Sequence, residues 1–162
     1  MGKDTMKILT VDKTKCNGCG ACQVLCSAVK KNKVQPSESR IRIRRSGDPD
    51  VQNVSVCQHC ETPVCVTACM RGCIHKDPAT GFVRRNVKGC FACASCNVWC
   101  PIGAIFYDSD EDAFVTCDRC GGDPLCVRVC PTGALRYEEI GGVSDTRRQA
   151  YARSLFAGEG AE

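Results

Sequence analysis

The sequence predicts an α+β protein in which short strands and short helices wrap around inorganic centres, and three observations predict it. Four cysteine-rich groups recur along the chain with nearly the same internal spacing. Between them lie short alternating apolar and polar stretches bounded by Gly, Pro and Asp, the pattern of small paired strands. Large apolar side chains are scarce: the 43% apolar fraction counts 17 cysteines among 162 residues, and one Trp, three Tyr and five Phe supply the aromatics. Without the cysteines the apolar share falls to about a third, so a core this thin needs staples.

The groups justify themselves in chain order. The first is "CNGCGACQVLC" (Cys16, Cys19, Cys22, Cys26) and the second "CQHCETPVCVTAC" (Cys57, Cys60, Cys65, Cys69). The third is "CFACASCNVWC" (Cys90, Cys93, Cys96, Cys100) and the fourth "CDRCGGDPLCVRVC" (Cys117, Cys120, Cys126, Cys130). Groups one and three share C-x2-C-x2-C-x3-C, while two and four lengthen the middle gap with Pro63 and with Gly121, Gly122, Asp123 and Pro124. The repeat runs on past the last cysteine in "CMRGCI", "CPIGAI" and "CPTGAL", which sets Cys73 where Ala104 and Ala134 stand. Cys73 is therefore read as a small buried residue beside a centre and not as a ligand.

Disulfides are the first alternative. They belong to exported chains, and "MGKDTMKILTVDKTKC" offers only Ile8 and Leu9 where a signal peptide carries a continuous apolar core. The expected location is the reducing cytoplasm, unless a partner with its own signal exports the folded chain. No stretch approaches the roughly 20 apolar residues of a membrane span, so no direct membrane crossing is expected.

Zinc is the second alternative. Zinc sites join two C-x2-C pairs across a longer loop, whereas here three thiols fall within seven residues in the short groups and a fourth follows one helical turn later. Three close thiolates wrap one corner of a compact core, and the fourth points to a different centre. That is the arrangement of bacterial ferredoxins around [4Fe–4S] clusters. Four groups then predict four clusters on sixteen iron-binding cysteines. His59 and His75 are weighed as alternative ligands and read instead as packing residues or donors to a sulfur. Gly18, Gly20, Ala92, Ala94, Gly121 and Gly122 suit turns that aim N–H groups at an anionic cargo. Lys15 and Lys88 precede groups one and three and read as solvated charges. Spacing alone leaves two pairings open: groups one with four and two with three, or one with two and three with four.

With all four groups in view, residues 7 to about 138 resemble the four-cluster ferredoxin-like subunits of molybdenum and tungsten oxidoreductases, of the dimethyl sulfoxide reductase and formate dehydrogenase type. The small subunit of a tungsten aldehyde oxidoreductase is the nearest specific case, since the chain is short and anchorless. The resemblance implies the nested pairing: Cys16, Cys19, Cys22 with Cys130; Cys117, Cys120, Cys126 with Cys26; Cys57, Cys60, Cys65 with Cys100; and Cys90, Cys93, Cys96 with Cys69. It implies two ferredoxin-like dicluster modules, an outer one of residues 1–56 plus 116–140 and an inner one of 57–115. A C-terminal docking helix or tail, 141–162, follows. Pro101 and Pro131 fit the pattern, while Ser27 and Met70 replace proline after Cys26 and Cys69. Some relatives replace a cysteine of group three; Cys96 is present here, which favours four complete clusters.

The connecting segments read as hairpins. "SRIRIRR" (39–45) alternates Ile41 and Ile43 with Arg40, Arg42 and Arg44, a strand with one basic face that serves as a charged edge or a docking face for an acidic partner. Residues 72–90 and 104–117 each read as strand, turn and strand. In 144–160, Ser144 or Asp145 caps a helix carrying Tyr151, Leu155 and Phe156 that covers its own body or grips a partner.

No nucleophile with a base, phosphate loop or dinucleotide fingerprint appears, so the expected role is electron relay without catalysis of its own. Expected partners are a catalytic molybdenum or tungsten subunit and a flavin/NAD or ferredoxin-reactive subunit, with head-to-tail self-association into a filament as a further arrangement. A free polyferredoxin serving a hydrogenase or carbon monoxide dehydrogenase, and a zinc-stabilised interaction module, are the competing readings. The formal charge of +4 does not point to nucleic acid, because no aromatic platform accompanies it and four oxidised clusters would turn it to about −4.

Overall fold

In the computed structural model, which describes residues 7–45 and 52–139, the two ends of the described chain are joined. Lys7–Val11 (β1) pairs antiparallel with Leu135–Glu139 (β8), Lys7 opposite Glu139 and Val11 opposite Leu135. Leu9 is fully buried and Leu135 nearly so, so the pairing is fixed by apolar burial as well as by its ladder. Asp12 N–H extends it by donating to the Ala134 carbonyl at 2.8 Å. The loop of group one thereby lies against the loop of group four.

The other three sheets are the expected hairpins. Ile41–Arg45 (β2) pairs with Gln52–Val56 (β3), Ile74–Lys76 (β4) with Val83–Arg85 (β5), and Ile105–Asp108 (β6) with Ala113–Thr116 (β7), all antiparallel. Ile41, Val54 and Val56 turn inward from the first of these. Of the basic residues about this strand Arg44 is exposed, while Arg40 and Arg42 are half-buried and engaged. Arg40 pairs with Asp118 at 3.3 Å, and Arg42 lies 4.2 Å over the Phe106 ring while donating to the Ser39 carbonyl. The turn residues Gly47, Asp48 and Pro49 and the expected helix of 144–160 lie outside the described residues.

Among the described residues each cysteine group carries its third cysteine on an α-helix. Ala21–Lys31 (α1) has 11 residues, while Val64–Thr67 (α2), Ser95–Val98 (α3) and Leu125–Arg128 (α4) have four each. The short-gap groups enter their helices through a left-handed residue, Gly20 at φ 78° and Ala94 at φ 63°; the long-gap groups enter through Pro63 and Pro124. Groups three and four stop at Pro101 and Pro131, and α1 runs on because Ser27 stands at the equivalent place. Ser27 is fully buried; its hydroxyl donates to the Val24 carbonyl and accepts from Gln35 N–H. Group two stays short although Met70 replaces its proline, because the chain turns at Gly72, φ 62°, as it does at Gly103 and Gly133.

Buried apolar side chains gather in two clusters. One is built on Leu9, Cys22, Ile41, Val54, Val56, Cys117 and Leu135, with Cys16, Cys26, Cys126 and Cys130 packed on it. The other is built on Ile74, Val83, Cys96 and Ile105, with Cys65, Cys69 and Cys100 around it. Cys57 packs against the first cluster, although its neighbours in sequence serve the second. A buried ion pair adds a strap: Lys31 at the end of α1 donates to Asp108 and, at 3.2 Å, to Asp110, across to the β6–β7 hairpin.

Candidate metal centres

Each C-x2-C loop bends inward at the residue before its second cysteine. Gly18, His59, Ala92 and Arg119 occupy this place in groups one to four, with φ of 70°, 49°, 55° and 53°. Left-handed residues in such a loop turn successive N–H groups toward one side and make a cradle for anions. The bonds are visible at the thiols: Ala92 N–H donates to Cys90 Sγ at 3.4 Å and Arg119 N–H to Cys117 Sγ at 3.3 Å. Cys26 receives Arg40 N–H at 3.3 Å, and Cys100 receives Ala104 N–H at 3.4 Å.

The thiols then gather in sets. Cys16, Cys19, Cys22 and Cys130 line one cavity of about 350 Å³, mouth included. Cys26, Cys117, Cys120 and Cys126 line a second of about 400 Å³. Cys69, Cys90, Cys93 and Cys96 line a third of about 420 Å³, with Cys73 in its wall. Cys57, Cys60, Cys65 and Cys100 form a fourth neighbourhood, in which the Cys60 and Cys65 thiols are raised by burial first and then by Cys57 and Cys100 beside them. On α1, Cys22 and Cys26 sit one turn apart on one face yet open into different cavities.

Crowding sets the electrostatics. Burial, reinforced by neighbouring thiols, pushes Cys22 up to about 11 and Cys126 up to about 12. Cys117 also rises to about 12, chiefly by burial and against a lowering bond from Arg119 N–H. Such thiols hold their protons at neutral pH unless a cationic core replaces them, as iron does. Orphaned donors test the same fit. Among the described residues, the buried side-chain nitrogens and oxygens without a partner are His59 Nε2, Arg85 Nε and Nη2, and Arg119 Nε. His59 Nδ1 accepts Val83 N–H at 2.9 Å, so the neutral ring carries its proton on Nε2. All four atoms are therefore donors, and each belongs to a residue placed among these thiols. Leaving one unsatisfied costs roughly 1–3 kcal/mol, more when charged, and the sulfurs of a bound cluster would supply acceptors for them. The donor set fits iron–sulfur clusters.

A family described as the 4Fe-4S dicluster domain matches residues 52–140. The chain belongs to this family. As a 4Fe–4S dicluster protein it transfers electrons and is not catalytic alone. It is 32% identical over 148 residues to the B subunit of the anaerobic dimethyl sulfoxide reductase of Escherichia coli strain K12, covering 80% of its own length and 72% of the relative's. It is 34% identical over 123 residues to the polyferredoxin-like subunit of an aliphatic sulfonate oxidoreductase of Pyrococcus furiosus, covering 76% and 69%. It is also 34% identical over 146 residues to the beta subunit of NADH-dependent phenylglyoxylate dehydrogenase of Aromatoleum evansii, where it spans 85% of its own length and only 33% of the relative's.

Residues outside the sixteen fall into place around the dicluster loops. Cys73 is buried and its thiol donates to the Gly89 carbonyl at 2.8 Å, beside Cys69 and Cys90. His75 is exposed on β4, opposite Arg84. Lys15 reaches Asp12 at 3.9 Å, and Lys88 is exposed. Sequence reasoning missed Arg85 and Arg119. Arg119 had a signal, since it stands in "CDRC" where His59 stands in "CQHC", and the two are 0% and 1% exposed. Arg85 had none.

Proposed function

We propose that this chain is the electron-transfer subunit of a molybdenum or tungsten oxidoreductase, carrying four [4Fe–4S] clusters in two dicluster modules, with tungsten aldehyde oxidoreductase as the specific candidate. The ligand sets are the four thiol neighbourhoods just described, with Cys73 outside them. Each bound cluster takes up and gives back one electron. The chain's own residues supply thiolates, N–H donors to sulfur, and walls that exclude water.

The observation that carries this reading is the order of the sets. Cys57 and Cys117, from different sets, lie near enough for each to bear on the same buried guanidinium of Arg119. Cys19 and Cys93, the second cysteines of the two short-gap groups, are exposed, while their counterparts Cys60 and Cys120 are half-buried. We read these as a line, with the exposed Cys16 and Cys90 sets as its ends and the Cys117 and Cys57 sets between them. Such a line accepts electrons at one end and delivers them at the other. Among the described residues no helix is long and apolar enough to cross a membrane.

The expected result of native mass measurement on the complex isolated anaerobically from its source is this chain bound to a larger subunit containing molybdenum or tungsten. A monomer would favour the free polyferredoxin, and an open series of multiples would favour the filament.

A further inference from the structure

The three residues that hold the orphaned donors also hold positions between thiol sets. Arg119 is fully buried beneath β1 and β8, donating to the Lys7 carbonyl and, at 3.1 Å, to the Gln58 carbonyl, with its guanidinium 5.0 Å from the Phe82 ring. It is flanked by Cys117 of one set and Cys57 of the next. Arg85 Nη1 approaches Cys96 Sγ at 3.5 Å in the wall of the Cys90 cavity, and its charge also bears on Cys65 of the Cys57 set. Among the described residues neither guanidinium has a carboxylate within ion-pairing distance. Lys30 and Arg40, beside the Cys117 cavity, share the single carboxylate of Asp118 at 2.8 and 3.3 Å, which offsets one of their two charges. The cavity of Cys16, Cys19, Cys22 and Cys130 has no Arg, Lys or His in its described walls.

We propose that Arg119 and Arg85 set the potentials of the relay: each stands between two neighbouring clusters and makes both easier to reduce, leaving the cluster of Cys16, Cys19, Cys22 and Cys130 the hardest to reduce. Reduction adds one electron and no proton to a site that is already anionic. A fixed positive charge in a poorly screened interior stabilises the reduced form more than the oxidised one. Arg119 stands at the middle of the line and Arg85 at the next junction, so the Cys57 cluster feels both charges, the Cys117 and Cys90 clusters one each and the Cys16 cluster neither: electrons entering at Cys19 run downhill as far as the Cys57 set. His59, with its neutral Nε2 donor in the same junction, assists without adding charge.

This inference rests on the four-cluster reading, and the test separates the two. Holoprotein with full iron content is titrated potentiometrically and followed by electron paramagnetic resonance, in wild type and in Arg119→Met, Arg119→Lys, Arg85→Met and Arg85→Lys. The Cys16-set signal is identified by its alteration in Cys19→Ser. Each Met variant is expected to lower the one-electron equilibrium of two clusters at least tenfold, about 59 mV, with the Cys16-set signal unmoved. The Lys variants are expected to keep most of the wild-type values, a rescue that a packing role would not give. In wild type the Cys16-set cluster is expected to reduce last. Unchanged potentials in iron-replete Met variants, or a Cys16-set cluster that reduces first, would overturn the proposal while leaving the cluster reading intact. A wild type deficient in iron would instead sink the cluster reading. If Arg119→Met fails to assemble, Arg85→Met decides, because the Arg85 guanidinium bonds to Cys96 and not to the backbone carbonyls that Arg119 holds.

Discussion

Cys130→Ser is expected to cost the chain one whole centre, the one shared with Cys16, Cys19 and Cys22, and to leave the other three. Cys130 is the last cysteine of group four, so its assignment separates the two pairings that spacing allows. In the nested arrangement it completes group one; in the tandem arrangement it would complete group three. It lines the Cys16 cavity, where burial tends to raise its thiol but donors from Leu135, Thr132 and Ala134 outweigh burial and hold it below its usual value. The β1–β8 pairing brings it there. Iron should fall by about four per chain, and the spectral component altered in Cys19→Ser should be the one that vanishes. Loss of the component altered in Cys93→Ser would establish tandem pairing instead.

The second large effect is expected at Lys31, which touches no candidate ligand. Its side chain is 8% exposed and its partner Asp108 only 2%. Asp108 also accepts N–H bonds from Asp110 at 3.1 Å and Glu111 at 3.3 Å, so its side chain stays fixed in this buried place when the lysine is removed. Lys31→Met should therefore destabilise the holoprotein by about 3 kcal/mol, the scale for stranding one partner of a buried pair. Adding Asp108→Asn should return most of it. The check is denaturant unfolding followed by visible absorbance.

The same strap has a pH signature. Burial alone would depress the lysine, but the bonds to Asp108 and Asp110 prevail and its pKa lies above the ordinary 10.5. The folded state thus holds this proton more tightly than the unfolded one. The stability it contributes is complete below pH 10.5 and is lost as pH rises through the folded value. Lys31→Met should flatten that alkaline limb relative to wild type.

The cysteine groups and the three hairpins were legible because both are local. C-x2-C spacing and alternation around Gly and Asp turns act over ten or so residues. The closure of β1 on β8 was not legible, since it joins residues more than a hundred positions apart and "KILTV" carries no mark of its partner. The basic stretch of 39–45 was legible only in part, for a related reason. Alternating arginines look like a solvated edge, and Arg44 is exposed as that reading expects, but Phe106 and Asp118, both distant in sequence, receive Arg42 and Arg40. Arg119 shows the limit most clearly. Its place in a cysteine loop was visible, but burial of a guanidinium is set by Phe82, Lys7 and Gln58 from three other segments.

Iron and acid-labile sulfide counted per chain on the anaerobically isolated protein, with Mössbauer spectra of the same sample, test the central claim most directly. The expected result is a brown protein with about sixteen irons and sixteen sulfides, all in [4Fe–4S] sites. About eight irons in a fully occupied sample, or a colourless protein holding zinc and no sulfide, would contradict it.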